Sequence, residues 1–318
     1  VSWTSRYTSK NWKAVASSAN GTKLVAVEET GYIHTSSDSG VNWTQYSATG
    51  SKDWKGVASS ADGTKLIALS YASFTGQTWV SSDSGASWTA TSGGNNSPPW
   101  TGVASSADGT KLAATTNSLI YYSTNSGTSW AHTNDWGNWT AIASSADGTK
   151  LIASLNGGGV YLSTDSGGVW NVQSTGASGT WYGLAMSSDG TKLIAALNGG
   201  YMYRSKDAGV TWEQQTTAGS RGWYGIASSI GGDSIVAGVS TGYMYTYRGP
   251  STILLQGNVG IGVSNPVLPL EVAGTIKASA LQASNIDTST AVTLNIGTVT
   301  ASAISIAKAG ITTTVNGA

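Results

Sequence analysis

The side chains that recur at fixed spacing in this chain are a hydroxyl, an acid, a glycine and a tryptophan. Ser36 to Trp43, Ser81 to Trp88, Ser123 to Trp130, Ser163 to Trp170 and Ser205 to Trp212 all follow that order. A recurring acid could do chemistry, and hydrolysis of a glycosidic bond needs two carboxylates facing each other across it. In a tight turn, however, Asp or Asn accepts N–H bonds from its own backbone, so Asp38, Asp83, Asn125, Asp165 and Asp207 are read as structural turn residues. Outside the turns the acids of the first 249 residues are few: Glu28, Glu29, Asp53, Asp135 and Glu213. A dyad would draw on Glu28 and Glu29 with Asp53 or Asp135. Two histidines, His34 and His132, and the absence of cysteine leave no zinc set, no thiolate site and no disulfide framework. No P-loop, dinucleotide fingerprint or Ser-His-Asp pattern is present, so neither metal nor cofactor is expected.

Binding has better raw material. The chain holds 42 glycines, 14 tryptophans and 14 tyrosines but one phenylalanine, and its 16 basic and 16 acidic residues cancel. Such a surface has no basic field to attract nucleic acid. No apolar run approaches the roughly 20 residues of a membrane-crossing helix, so membrane insertion is not expected. Twelve tryptophans fall in two repeat markers and Trp79 takes an aromatic place in a strand, which leaves Trp136 alone in a variable loop beside Asn134, Asp135 and Asn138. Those four residues are the first ligand-contact candidates.

The elements that must hold them follow from the second marker, which begins at Trp12, Trp54, Trp100, Trp139, Trp181 and Trp223 and runs Trp, two residues, a branched apolar residue, Ala, two serines, a turn and a Lys-Leu-Ile-Ala-like strand. Copy four, Trp139 to Ala153, is representative, with Asp147-Gly148 as its hairpin signal. Successive leading tryptophans stand 42, 46, 39, 42 and 42 residues apart. That period, filled with short strands, predicts an all-β, six-bladed propeller over residues 1–249. Each unit has strands A (Val-Ala-Ser-Ser), B (Lys-Leu-Ile-Ala), C (before the acid) and D (around the closing Trp, as in Trp170-Asn171-Val172). Unit six lacks its Asp-turn-Trp, while Val1-Ser2-Trp3-Thr4 matches Val41-Asn42-Trp43-Thr44, so the N-terminus is expected to supply the last strand and close the ring. With Val1 inside a repeat pattern, the chain is expected to be a piece of a longer or processed protein.

The Asp-turn-Trp motif resembles the Asp box, or bacterial neuraminidase repeat, of sialidases and other propellers. A sialidase would need three arginines on the substrate carboxylate, and this propeller offers Arg6, Arg204, Arg221 and Arg248 with no Phe-Arg-Ile-Pro-like segment. In the expected fold the A–B and C–D turns share one face, and the variable B–C loops and D–A connections share the other, where binding is expected. The six leading tryptophans stand where those connections reach strand A. They serve either to pack one blade on the next or as a stacking surface for sugar rings.

Beyond Tyr247 the chain has no aromatic residue, and Ala, Thr, Ile, Val and Gly dominate residues 250–318. Alternation such as Val292-Thr293-Leu294-Asn295-Ile296 predicts short strands with too thin a core to fold alone. Asn258-Val259-Gly260-Ile261-Gly262, then Pro266 or Pro269 and Leu270-Glu271-Val272-Ala273-Gly274, is similar to a motif of bacteriophage tail fibres and fibre-like proteins of large algal viruses, with Glu271 where Asp is usual. That resemblance implies a homotrimeric β-stalk. The expected whole is a structural fibre or spike protein at the surface of a virus or phage particle, non-catalytic, binding host glycans through its head and other virion proteins along its length. The alternatives are a secreted glycoside hydrolase and a non-catalytic assembly scaffold resembling the propeller factors of photosystem assembly. The sequons at Asn20, Asn42, Asn95 and Asn138 permit N-glycosylation in a secretory or virus-infected eukaryotic setting.

Overall fold

A computed structural model describes residues 4–72, 75–91, 99–134, 136–249, 259–261 and 270–272. The chain divides into two compact units, Val1–Thr252 and Ile253–Ala318. The first is a run of antiparallel sheets. Sheet one holds β1 (Trp12–Ser17), β2 (Leu24–Glu28), β3 (Ile33–Ser36) and β4 (Thr44–Tyr46), and sheet two holds β5 (Asp53–Ser59), β6 (Leu66–Ala72), β7 (Thr75–Ser81) and β8 (Thr89–Thr91). Sheet three comprises β9 (Trp100–Ser105), β10 (Leu112–Thr116), β11 (Ile120–Ser123) and β12 (Ala131–His132). Sheet four comprises β13 (Trp139–Ser144), β14 (Leu151–Leu155), β15 (Val160–Ser163) and β16 (Asn171–Gln173). Sheet five contains β17 (Trp181–Met186), β18 (Leu193–Gly200), β19 (Met202–Ser205) and β20 (Glu213–Gln215), and the sixth β21 (Arg221–Ser228), β22 (Ser234–Val239) and β23 (Met244–Arg248). Strands pair in chain order within each unit, as short hairpin connections require, and a bridge from β18 to β21 joins the last two. In the second unit β24 (Val259–Ile261) and β25 (Leu270–Val272) pair in parallel, Gly260 opposite Glu271, so the two halves of the fibre-like motif lie side by side.

Both kinds of turn are built from their own side chains. At the A–B turn of sheet two, the Ser60 hydroxyl donates to Asp62 Oδ1 (2.6 Å), which also accepts the Thr64 N–H (2.9 Å), while the Lys65 N–H donates to Ser60 Oγ (3.0 Å). At the C–D turn, the Ser163 hydroxyl donates to Asp165 Oδ1 (2.7 Å), Asp165 accepts the Val169 N–H (2.9 Å), and the Trp170 indole closes the turn on the Gly167 carbonyl (3.1 Å). Ser166 at φ 65° and Gly167 at φ 105° make consecutive left-handed steps, the conformation a tight hairpin needs. The same bonds recur around Asp38, Asp83, Asn125 and Asp207. The two turn types also join each other, as where the Ser166 N–H donates to Thr149 O (2.8 Å), which places them on one face.

The core lies between sheets. Val25, Val27 and Ile33 of the first sheet pack with Trp54, Val57, Leu66, Ala68 and Trp88 of the second, and equivalent clusters fill the later junctions. In every unit the leading tryptophan meets the strand C aromatic ring near edge-on: Trp54 with Trp79, Trp100 with Tyr121, Trp139 with Tyr161, Trp181 with Tyr203 and Trp223 with Tyr245, at centroid distances of 5.1–6.3 Å. In the first unit His34 takes that aromatic place, 5.1 Å from Trp12. A ladder of backbone bonds ties the A–B turns together, from the Ala19 N–H to Ala61 O, Ala61 to Ala107, Ala107 to Ala146, Ala146 to Ser188 and Ser188 to Ile230, each 2.7–2.8 Å. Lysines reinforce it, Lys111 reaching Asp147 O (2.9 Å) and Lys150 reaching Asp189 O (3.0 Å).

The expected closing strand is not seen in the part of it that is described. Val1–Trp3 lie outside the described residues, Thr4 to Asn11 form no strand, and β23 pairs with β22 alone among the described residues. Instead Thr4, Arg6 and Tyr7 line a groove of about 520 Å³ on the first sheet with Trp12, Val15, Leu24, Ala26 and Trp43. Those last five hold the repeat positions by which Trp54, Val57, Leu66, Ala68 and Trp88 meet the preceding sheet, so the groove is the uncovered half of a junction. A Cβ at Gly63 would lie 2.8 Å from Lys23 Cβ of the preceding sheet, whereas one at Gly21 would meet open space.

Two outcomes follow. Replacing Trp54 or Trp181 by Ala should cost about 3–5 kcal/mol, as for other fully buried large aromatics, and Trp12→Ala, whose ring is 40% exposed, about 1 kcal/mol or less; chemical denaturation of the three variants checks the order. Acid should also weaken the turns. Asp108, Asp147 and Asp189 titrate at about 2, lowered first by the serine hydroxyl two residues back and then by the threonine N–H two residues on, and Asp83 at about 2 through the Ser87 hydroxyl and N–H. The unfolded chain then binds more protons than the folded one between about pH 4 and pH 2. Stability should be complete above that window and fall through it, read as a melting temperature that drops from pH 4 to pH 2.

Candidate functional site

The face opposite the turns is assembled by bonds between B–C loops and D–A connections. Gly31 and Lys52 exchange two backbone bonds (3.0 and 2.9 Å), Gly137 donates to Ser118 O (2.8 Å), Asn156 to Asn138 O (2.8 Å), Asn198 to Thr180 O (2.9 Å) and Ser240 to Gly222 O (2.9 Å). The connections after β12, β16 and β20 are each bonded to loops of the units on both sides, with Gly179 donating to Gly158 O (3.0 Å) and the Ser220 hydroxyl to Gly199 O (3.0 Å).

Within that surface the connection after β12 stands out. Its backbone is held at Gly137 by sheet three and at Asn138 by sheet four. A Cβ at Gly137 would lie 2.4 Å from Leu155 Cδ1, so a larger residue there would require the leucine side chain to move. Trp136, the neighbouring residue, is 78% exposed, and Asn134 and Asn138 are exposed with it. Asp135 lies outside the described residues. A large ring held on a fixed backbone in water is a surface able to bind, because most of its apolar area remains to be covered.

The leading tryptophans take the other of their two expected roles. Trp54, Trp100, Trp139, Trp181 and Trp223 are buried in the junctions. The indoles of Trp54 and Trp181 also donate to Gly31 O (3.0 Å) and Gly158 O (3.1 Å) of the preceding unit. Five of the six candidate stacking rings are thus inter-sheet packing, with no face free for a sugar. Trp12 is part-exposed because no other sheet among the described residues packs on it, and the Tyr7 ring sits 6.2 Å from it.

The acids and arginines are dispersed. Glu28 is buried against the wholly buried His34, whose Nε2 lies 2.6 Å from Glu28 Oε1, and Lys10 reaches the same oxygen at 3.2 Å. Burial pushes the Glu28 carboxyl up, but the bonds from His34 and Lys10 outweigh it and the pKa lies below the ordinary value. That is the wrong direction for a general acid. Asp53 pairs with Lys55 (2.7 Å) and Glu213 with Lys206 (2.8 Å). Arg204, buried, donates to Tyr247 Oη (2.9 Å) and Gly232 O (3.1 Å), and Arg221 lies over the Tyr245 ring at 4.7 Å. Sequence reasoning missed two features here. One is the Glu28–His34 pair, whose only signal was a histidine in a strand position that is aromatic in the other five units. The other is a β-bulge directly after each leading tryptophan, visible as a register shift in all six sheets.

No family model and no curated protein matches this sequence. Among solved structures the chain is similar to the Niastella koreensis GH74 enzyme, with 21% identity and a TM-score of 0.57 over 76% of this chain, which spans 37% of that enzyme's length. It is similar to YCF48 from Cyanidioschyzon merolae at 16% identity and a TM-score of 0.58, covering 74% of this chain and 81% of that one. A structure of YCF48 bound to D1 peptide gives 18% identity and a TM-score of 0.57, covering 74% and 78%. At these identities what the neighbours share with this chain is the fold: a β-propeller of repeated four-stranded sheets.

Proposed function

We propose that this chain is the head and stalk of a structural fibre or spike protein on a virus or phage particle, and that the head binds host-surface glycans without catalysis. The observation that carries the binding half is Trp136, 78% exposed on a backbone tied to two sheets. Asn134 and Asn138 beside it add amide donors and acceptors suited to sugar hydroxyls. The fibre half rests on the sequence resemblance of residues 257–276 and on the parallel pairing of Val259–Ile261 with Leu270–Val272 inside that motif. Three copies joined through residues 250–318 would present three shallow sites at once, and avidity would then compensate for weak single contacts. Other virion proteins would flank the stalk. The head would be a six-bladed Asp-box ring whose sixth junction, between β23 and the first sheet, takes Val1–Trp3 as its remaining strand.

Binding of the full chain to immobilised oligosaccharides ending in galactose, N-acetylglucosamine, mannose or N-acetylneuraminic acid tests the reading. Trp136→Ala should weaken the signal about tenfold, as loss of an interface anchor does, with an unchanged melting temperature. A folded chain that binds none of them refutes glycan recognition. Capture of a peptide instead would favour an assembly role, as the YCF48 likeness suggests. Light scattering at micromolar concentration should give a trimer mass, and a monomer would refute the stalk.

A further inference from the structure

The bulge after each leading tryptophan creates a display row. In sheet five Trp181 pairs with Leu197 and Gly183 with Ala196, so Tyr182 is the extra residue, and the same count picks out Lys13, Lys55, Thr101, Thr140 and Tyr224 in the other sheets and skips none. A bulge re-aims the side chain of its extra residue, and bulges gather beside functional sites for that reason. Strand A is also where successive sheets converge, since β1 contacts β5, β5 contacts β9, and so on to β21. The six bulged residues therefore form one row along the converging edge.

The fold fixes the bulge but leaves its side chain open, because lysine, threonine and tyrosine all stand there. At one end the lysines are spent on neighbours, Lys13 on Glu29 (3.8 Å) and Lys55 on Asp53 (2.7 Å). In the middle the Thr140 hydroxyl donates to Trp181 O (2.6 Å). At the other end Tyr182 and Tyr224 are 41% and 59% exposed, their ring centroids are 5.4 Å apart and their planes are inclined by 45°. Neither phenol hydroxyl has a hydrogen-bond partner among the described residues. Two adjacent units thus place a large ring where packing does not ask for one, and the pair forms a shallow two-faced seat rimmed by free hydroxyls.

We propose that the Tyr182–Tyr224 step is a subsite for a hexopyranose, an inference that rests on the glycan-binding reading and locates a second contact for it. A pyranose combines an apolar C–H face with a rim of hydroxyls, and tyrosine offers the matching pair, an apolar ring and a hydroxyl, at small cost in side-chain entropy. A nucleotide is disfavoured because the chain carries no net charge to attract phosphate.

Saturation-transfer NMR of the full chain with methyl α-glucoside, α-galactoside and α-mannoside at millimolar concentration tests it, using Tyr182→Ala, Tyr224→Ala, the Phe variants at both positions and Trp136→Ala. One sugar should show saturation of its C–H face that falls about tenfold in each alanine variant and less than about threefold in the phenylalanine variants, which keep the rings. Unchanged melting temperatures certify the fold, and both rings are exposed enough for that control to hold. Saturation that persists in both alanine variants but disappears with Trp136→Ala overturns the subsite and leaves the glycan reading standing. No saturation from any of the sugars overturns the subsite, and the oligosaccharide panel then decides separately whether glycan recognition survives.

Discussion

The structure depends on one contact repeated along the array: a leading tryptophan buried between its own sheet and the one before it, edge-on to a strand C aromatic. A three- or four-stranded sheet of short strands has two faces and cannot bury either alone, so each sheet is stable through its neighbours. A leading tryptophan is a buried member of the cluster at each of the five described junctions, and the turn-to-turn ladder from Ala19 to Ile230 fixes the register in which successive sheets meet. Stability is then close to a sum over junctions, and the ends of the array must differ from its middle.

They differ in opposite ways. In sheet six the closing turn is missing, and Tyr247 occupies the place of the turn serine. Arg204, from the strand position that elsewhere packs on the next unit's turn, grips that tyrosine by a 2.9 Å bond and by its ring face at 4.9 Å, while Gly249 bonds back to Asp233 O. The place of a fourth strand's turn is thereby filled. At sheet one nothing equivalent has been built, and the groove over Trp12 and Trp43 is partly occupied by Tyr7, a bulky residue held at φ 63°. The turn chemistry changes at both ends as well. Ser234 replaces the lysine that in sheets three to five reaches the next turn, and Asn20 replaces the aspartate that sheets two to five carry at the same turn position.

Most of this architecture was legible in the sequence because it repeats. The period, the Asp-Gly hairpins, the turn acids bonded to their own backbone, the aromatic role of Trp79 and the gathering of variable loops on one face all follow from local rules applied several times over. What the sequence left open was what depends on junctions. Trp54 or Trp181 reads equally well as a stacking surface or as packing, since composition does not say whether another sheet covers the ring. The bulge has no consistent local marker, because a glycine follows Lys55, Thr101, Tyr182 and Tyr224 but an alanine follows Lys13 and Thr140. His34 could not be paired with Glu28, since their contact runs across a hairpin whose partner positions are apolar or hydroxylated in the other units.

The departures from the repeat are therefore the most informative residues, provided those that complete the fold are separated from those that do not. Arg204, Tyr247, Glu28 and His34 all depart from it, and all are absorbed by partners inside the array. Arg204 and His34 each retain one buried nitrogen without a hydrogen bond, an energetic cost accepted in order to hold a particular packing. Trp136, Tyr182 and Tyr224 depart from it and keep much of their ring surface exposed, the two tyrosines touching each other. An exposed ring in a rigid setting gives up hydrophobic burial that a smaller polar residue would not forgo, so a fold that needed only stability would not place three of them there. That difference, between irregular residues that satisfy the protein and irregular residues that leave it unsatisfied, directs the search for a ligand to the loop face and the bulged inner edge.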